Sequence, residues 1–279
     1  MTRYSRDAVA QVEGCRALAK RQWAEGDAAL CAQHDVAELV TAAMAAFPHS
    51  ADVQQWACGA VEALVSHSAQ LQELFGELGA CPLIVAALRN PSWHVDVRTR
   101  ACAGIAQLAA KNTANSSRLG AAGACVLVAA AMREFQRHVE LQLQACKAVG
   151  HLAARSVDNR HQLGAEGACE LVTAAMRTFP DHRQVQLWAC VAIGNLVADD
   201  LQNNSRFGAA GVCELVPRIL RKFAFDTKLV QNAGAALANL SADADNKARL
   251  HRAGTSVQRR KSDVAAWKVK IDGKKVLLH

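Results

Sequence analysis

The chain has 279 residues, of which 51% are hydrophobic, and a formal net charge of +7. Residues 255–279 carry seven Lys/Arg and two Asp, a net of +5, whereas the other 254 residues carry 25 basic and 23 acidic groups, a net of +2. A body this close to neutral disfavours binding along a nucleic-acid backbone, which needs basic residues clustered on one face. No uninterrupted apolar run reaches the roughly 18 residues of a membrane span, and the first residues lack a secretory signal.

The first predicted element is a lone helix, Val12–Lys20 (VEGCRALAK), and copies of one 44-residue segment follow it. Three registers keep the copies in phase: a Gly-x-Cys step, a second cysteine that Gly234 replaces in the fifth copy, and a leucine. These registers are Gly79/Cys81, Gly123/Cys125, Gly167/Cys169 and Gly211/Cys213; Cys58, Cys102, Cys146 and Cys190; and Leu64, Leu108, Leu152, Leu196 and Leu240. A period of 20–50 residues predicts a solenoid whose units bury their apolar faces by stacking.

Residues 159–200 show the content of one copy. Glycines punctuate its beginning and Pro180 its middle, leaving two stretches with helical apolar spacing, Cys169–Phe179 and Val185–Val197. A short helical turn over Asn159–Leu163 is expected before them. The unit is therefore predicted to contain three helices, one short and two long.

The end of the array departs from this pattern. Pro217 falls inside the second helix of the fifth copy, where a kink or a late helix start is expected. The sixth copy begins ADNKARLHRAG and then loses the residues that its second helix needs, so neither end of the array looks capped. The tail sequence WKVKIDGKKVLL predicts a hairpin around Asp272 and Gly273. Disorder and a hairpin docked on the array's edge are both open for this tail.

The copies resemble the armadillo repeat, in segments such as NSRFGAAGVCELV, ACVAIGNLVAD and QNAGAALANLSAD. The resemblance implies an all-α, right-handed superhelical solenoid of about five 44-residue three-helix units. Units are expected at about 28–67, 68–111, 112–155, 156–199 and 200–243, with partial units at both ends, so the array occupies 1–254 and a basic non-repeat tail occupies 255–279. HEAT repeats are the alternative at the level of fold.

The third helices carry a varied stripe between two flanking positions, one that is alanine in every copy and one that stays apolar. Gln184, Trp188, Val191 and Asn195 recur at i, i+4, i+7 and i+11, so they face one direction, and their equivalents differ sharply between copies. The resemblance implies that this stripe lines a concave groove. Its most interaction-capable members are the predicted protein-binding residues: Trp56, Arg100, Gln107, Lys147, His151, Trp188, Asn195 and Asn239.

Structural explanations compete at several of these positions. The asparagines could bond only to neighbouring backbone, and the tryptophans could pack under the adjacent unit rather than anchor a ligand. The armadillo protein importin-α binds basic peptides with a Trp/Asn ladder, but no tryptophan stands four residues before Asn195 or Asn239 here. That ligand is therefore not carried over, and neither is the acidic ligand of the Lys/Arg-rich groove of β-catenin.

No motif for catalysis, cofactor or metal is found: GxSxG, HExxH, a phosphate loop and a CxxC pair are all missing from the sequence. Eight of the ten cysteines are two repeat positions copied four times, which favours reduced core residues over zinc ligands. The histidines are expected at repeat junctions.

The sequence thus predicts a non-enzymatic scaffold that binds an extended peptide or a partner helix of mixed charge in the groove. No cofactor and no membrane association are expected. The cytoplasm, with the nucleus as an alternative, is the expected location. The competing hypothesis is a regulatory or targeting segment of a larger multidomain protein, such as an enzyme.

Overall fold

The computed structural model describes residues 6–23, 27, 35–90, 94–259, 267–271 and 274–276, which contain sixteen helices and three strands. In chain order these elements are α1 (Ala8–Lys20), α2 (Val36–Ala46), α3 (Ala51–Val65), α4 (Ala69–Glu77), α5 (Ala80–Arg89), α6 (Val95–Ala109), α7 (Thr113–Ala121), α8 (Ala124–Glu134), α9 (Val139–Ala153), α10 (Val157–Ala165), α11 (Ala168–Thr178), α12 (Arg183–Leu196), α13 (Leu201–Ala209), α14 (Val212–Lys222), α15 (Thr227–Leu240), α16 (Ala244–Arg252), β1 (Thr255–Arg259), β2 (Trp267–Ile271) and β3 (Lys274–Val276). They belong to two compact bodies, Met1–Asn159 and Arg160–His279, which are considered separately.

The predicted three-helix repeat is confirmed. Each complete repeat has a nine-residue first helix, a second helix of 10 or 11 residues and a third helix of 14 or 15 residues. The first helix is longer than the single turn expected from the sequence. The short helix expected at the start of the 28–67 repeat lies outside the described residues, as does Cys31.

A left-handed glycine starts the second helix of every repeat from α5 onward. Gly79, Gly123, Gly167 and Gly211 have φ values of 80°, 94°, 78° and 83°. Glycine adopts this conformation without the steric penalty of a Cβ, which explains the Gly register of the sequence. The cysteine two residues later in each repeat is fully buried.

A buried asparagine in the first helix joins each repeat to the one before it. The Asn159 side-chain amide donates to the Ser116 carbonyl at 3.0 Å and to the Leu152 carbonyl at 3.1 Å. Asn203 donates in the same way to the Arg160 carbonyl at 3.1 Å and to the Leu196 carbonyl at 3.2 Å. The equivalent bonds of the other repeats run from Asn115 to the Gln72 carbonyl and from Asn246 to the Asn204 carbonyl, each at 2.8 Å.

Each of these asparagines lies against a glycine of the preceding first helix. A Cβ added at these glycines would overlap the asparagine Oδ1 atom; the pairs are Gly76 with Asn115, Gly120 with Asn159, Gly164 with Asn203, and Gly208 with Asn246. The glycine is therefore required by the close approach of the next repeat, and the pair sets the spacing between neighbouring first helices.

Side-chain caps also recur at the ends of the long helices. The Gln186 amide donates to the Met176 and Phe179 carbonyls at 2.9 and 2.8 Å, which caps the end of α11, and Gln54 and Gln142 do the same in their repeats. At the start of α12, Nδ1 of His182 accepts from the Val185 amide at 3.2 Å. His138 caps α9 equivalently, so these histidines have a structural role at helix N-termini.

The third helices pack side by side and form the core. In the first body, α1 packs on α3, α3 on α6, and α6 on α9; in the second, α12 packs on α15. The flanks predicted as core, one position always alanine and the other always apolar, are all fully buried: Ala57, Ala101, Ala145, Ala189, Ala233, Val61, Ile105, Val149, Ile193 and Leu237. The lone N-terminal helix predicted at Val12–Lys20 is α1, and it occupies a third-helix position.

The C-terminal end is covered, contrary to the expectation of an uncapped array. β1, β2 and β3 form an antiparallel sheet in that order, and the β2–β3 pairing of Ile271 with Lys274 confirms the predicted hairpin. The sheet packs on α15 and α16, where Val269 and Ile271 are buried. Strand β1 was not predicted from the sequence. It begins directly after Gly254, which has a φ of 75° and takes the position of the glycines that start the second helix in other repeats.

Of the two outcomes expected at Pro217, a kink or a late helix start, the late start is wrong. α14 begins at Val212, in the same register as its equivalents, and continues through the buried proline. The start is fixed by the left-handed Gly211, and a proline at this point removes one backbone donor from the helix.

Gly208→Ala should destabilise the protein by about 2–3 kcal/mol, because the new methyl group displaces Asn246 and leaves its buried amide without acceptors. Gly194→Ala is the matched control, since a Cβ at that helical glycine first meets other atoms at 3.9 Å. It should stabilise by about 0.5–1 kcal/mol through helix propensity. Urea unfolding of both variants measures the difference, and equal effects would refute the proposed role of the Asn–Gly contact.

Val269→Asp should release the sheet from α15, because a carboxylate in this buried position has lost its water. Hydrogen exchange in α15 and α16 is then expected to accelerate, while α6 and α9 keep their protection. Lys270→Asp places the same group on the opposite face of β2 and should leave exchange unchanged. Unchanged protection in both variants would mean that the sheet does not stabilise the end of the array.

Candidate binding surface on the third helices

The structure places all eight predicted contact residues on third helices and leaves each of them half-buried. Five belong to the first body and three to the second: Trp56, Arg100, Gln107, Lys147 and His151; and Trp188, Asn195 and Asn239. Partial exposure above a fully buried flank is what a side chain needs in order to contact a ligand without unfolding the helix.

A hollow of about 310 Å³ opens on the third helices of the first body. Its walls come from α3, α6 and α9 and include Gln55, Glu62, Asp96, Thr99, Arg100, Ala103, His138, Glu140 and Gln144. Of the eight predicted residues, only Arg100 lines it. Three of the lining side chains are carboxylates and one is a guanidinium group, so these four leave the hollow with a net negative charge.

Arg100 is held within the hollow by an ion pair. Its Nη1 atom lies 3.0 Å from Glu62 Oε2, and the two side chains are 41% and 24% exposed. A pair this open to solvent contributes little to folding stability. It does orient the guanidinium group across the boundary between α3 and α6. Asp96 and Glu140 remain more exposed at the helix N-termini, although Glu140 accepts a bond from Gln144 at 2.6 Å.

Trp56 is already in contact with the preceding helix. The Arg16 guanidinium carbon lies 5.0 Å and Lys20 Nζ 5.2 Å from the centroid of its ring, both from α1. These are cation–π distances. The packing alternative considered for this residue is therefore present in the structure, and a ligand that used the ring would share it with α1.

Lys147 and His151 give the opposite end of α9 a different character. Burial, together with the neighbouring charges of Lys147 and Lys111, lowers the pKa of His151 from 6.5 to about 4. The imidazole is therefore neutral at pH 7, beside two lysines. Along the third-helix stripe of this body, Asp52, Asp96 and Glu140 lie in the first turns of their helices, whereas Lys147 lies in the C-terminal half of α9.

In the second body Asn239 bonds to backbone, as the structural alternative proposed. The Asn239 amide donates to the Gly194 carbonyl at 3.0 Å, and the Asn239 carbonyl accepts from Asn204 at 3.0 Å. Asn239 thus ties α15 to α12. Trp188 lies half-buried on α12, seven residues before Asn195.

Sequence reasoning missed Glu62, although the copies contained a signal for it. The equivalent positions hold only small residues, Ala106, Gly150, Gly194 and Ala238, so a glutamate here is specific to one repeat. Glu62 lies outside the i, i+4, i+7, i+11 stripe, and only the packing of α3 beside α6 brings it to Arg100.

The nine described cysteines are buried and free, as predicted for core residues. Burial raises the pKa of the Cys102 and Cys190 thiols to about 12, so they are protonated.

The described part of the chain contains no group of three or more His, Cys, Asp or Glu placed to hold a metal ion. Within the same residues no single helix is long and apolar enough to cross a bilayer; α4 and α5 pass that criterion only as a pair bent by 76°.

A family model described as the LRRK2 ARM repeat matches residues 2–154, so the chain belongs to this armadillo repeat family. No curated protein matches the chain.

Among solved structures, an engineered protein is 22% identical to this chain with a TM-score of 0.71. The alignment covers 85% of this chain and 94% of the engineered protein. A designed armadillo repeat protein in complex with the peptide (KR)4 is 19% identical with a TM-score of 0.65, and the alignment covers 82% of this chain and 91% of the designed protein. A chain from a structure of computationally designed armadillo repeat proteins for modular peptide recognition is 23% identical with a TM-score of 0.64, and the alignment covers 78% of this chain and 87% of the designed chain. These likenesses establish an all-α armadillo solenoid.

The lowered pKa of His151 predicts a loss of stability in mild acid. The unfolded chain takes up the proton near pH 6.5 and the folded chain only near pH 4, so stability falls as the pH drops through this window. Between pH 7 and pH 5 the loss should be roughly 1–2 kcal/mol. Urea unfolding of wild type and His151→Asn at both pH values isolates this contribution, because the other titrating groups are common to both. Parallel pH dependences would contradict the assignment.

Proposed function

We propose that this member of the LRRK2 ARM repeat family is a non-enzymatic scaffold that binds an extended peptide or a partner helix along its third-helix stripe. The observation that carries the proposal is the contrast between neighbouring positions. From α3 onward, the flanks of each third helix stay apolar and fully buried, whereas the eight predicted contact residues on the stripe between them are half-buried and polar or aromatic, and the stripe differs from repeat to repeat. Packing explains the flanks but does not require this variation.

The hollow between α3, α6 and α9 sets the charge of one ligand group. Glu62 is paired with Arg100, so Asp96 and Glu140 supply the unbalanced negative charge. A lysine or arginine side chain of the ligand would complement them. The designed armadillo protein that was solved with the peptide (KR)4 supports cationic side chains as ligands of this fold.

The cations at the other end of the stripe limit how basic that ligand can be. The positive charges of Lys147 and Lys111 both act on His151, so this end of the stripe repels a second basic side chain. A ligand of mixed charge fits the stripe of the first body better than a polybasic one. In the second body, Trp188 offers a contact for an apolar group. A tryptophan of this kind is a typical binding hot spot.

The expected location in the cytoplasm or nucleus belongs to the proposal. The second candidate function is a regulatory repeat segment of a larger multidomain protein. It is favoured by the description of the matching family model, which names the ARM repeat of one protein, LRRK2. The two candidates share the same binding surface and differ in what the bound partner controls.

Peptides selected from a random display library on the full chain should lose affinity in the Trp188→Ala variant by about 2 kcal/mol, or roughly 30-fold. Phe225→Ala is the matched control, because it removes a fully exposed aromatic side chain of the same body outside the stripe.

Lys147→Glu should favour peptides with more basic residues, because it replaces a cation of the stripe with a carboxylate. Fluorescence anisotropy measures each Kd, and circular dichroism checks that the variants fold. Peptides that bind Trp188→Ala, Lys147→Glu and wild type equally would exclude the stripe as the binding surface.

A further inference from the structure

A second, basic cavity lies on the C-terminal body, away from the third-helix stripe. It has a volume of about 430 Å³ and is lined by Glu214, Arg218 and Arg221 of α14 and by Arg252, Ala253 and Gly254 at the end of α16. Glu214, Arg218 and Arg221 are spaced i, i+4 and i+7, which places them on one face of α14. The site therefore combines one helix face with the turn that leads into β1.

Comparison of the repeats shows that two of these arginines are specific to this end of the chain. Arg218 takes a position that is alanine in every other repeat: Ala42, Ala86, Ala130 and Ala174. Arg252, two residues before Gly254, takes a position that is Ala121, Ala165 and Ala209 in three other repeats and Glu77 in one. Stacking of the repeats does not need an arginine at either position.

The charges of the cavity are only partly used within the protein. Arg221 donates to the Ala253 carbonyl at 3.4 Å, which brings α14 and the end of α16 together. Arg218 and Arg252 are exposed and take part in no ion pair among the described residues. Nearby cations differ in this respect, since Lys222 pairs with Asp181 and Arg177 donates to the Ala210 carbonyl.

We infer that this cavity binds a phosphate monoester through Arg218, Arg221 and Arg252. Three guanidinium groups and the Glu214 carboxylate leave a net charge of +2, which matches the charge of −1.5 to −2 that a phosphate monoester carries at about pH 7. Guanidinium groups also bind phosphate oxygens in a bidentate manner, which lysines cannot do. The volume suits a small phosphorylated molecule or a single lipid headgroup. The net charge of +5 on residues 255–279 attracts anions toward this end of the chain.

The site is tested with glycerol 3-phosphate, a phosphate monoester, as the soluble probe and with phosphatidylcholine vesicles with and without phosphatidylinositol 4-phosphate. Arg218→Ala/Arg252→Ala should weaken binding of the effective probe roughly tenfold or more. The variant restores the residue found in other repeats, so the fold is expected to be retained. The matched control is Arg89→Ala/Arg133→Ala, which removes two arginines from the last turns of α5 and α8 and lowers the net charge equally.

Selective loss in Arg218→Ala/Arg252→Ala supports the site, and the probe that binds identifies the source of the phosphate group. Binding of glycerol 3-phosphate indicates a soluble ligand, and binding only of the vesicles that carry phosphatidylinositol 4-phosphate indicates a headgroup. Equal losses in both double variants would show general charge attraction and overturn the site, as would no binding of either probe by the wild type. The stripe-selected peptides should bind Arg218→Ala/Arg252→Ala unchanged, so this test is separate from that of the proposed scaffold function.

Discussion

The armadillo architecture of this chain depends on one buried side chain per repeat. An asparagine amide enclosed in protein must find acceptors, and it finds them on the backbone of the preceding first helix. The Asn159 and Asn203 bonds span 43 residues each, so the length of the repeat is built into the contact. The facing glycine, Gly120 for Asn159, follows from the same contact because no Cβ fits beside the amide. Stability therefore resides in the interfaces between repeats, as expected for a solenoid.

This constraint separates the surface into fixed and variable positions. The asparagine–glycine contacts and the apolar flanks occupy the faces between repeats, where a change of one methyl group alters the packing. The third-helix stripe is outside those faces, so its residues can change without disturbing the stack. Even there, several side chains are shared with the fold: Asn239 bonds to Gly194, and Trp56 contacts two cations of α1. A ligand on this surface has to compete with these contacts or to build on them.

The sequence was sufficient for the parts of the structure that repeat. Registers of glycine, cysteine and leucine predicted the order of the helices, and Asp272-Gly273 predicted the β2–β3 hairpin, because both signals are local. Contacts that occur once were not predictable in this way. The Glu62–Arg100 pair joins residues 38 positions apart. Strand β1 is a single five-residue segment that pairs with β2, so no repeated pattern in the sequence indicates it. Pro217 shows the reverse case, since the shared start at Gly211 outweighed a local signal for interruption.

The C-terminal end shows what happens where stacking no longer constrains the sequence. Gly254 has the left-handed conformation that starts a second helix in other repeats, but the chain continues as β1. The sheet packs on α15 and buries Val269 and Ile271, and β2 pairs with both β1 and β3. With no further repeat to accommodate, positions that are alanine elsewhere can hold long charged side chains, as Arg218 and Arg252 do. The residues that break the repeat are thus the ones that packing explains least, and a function specific to this protein is most readily encoded there.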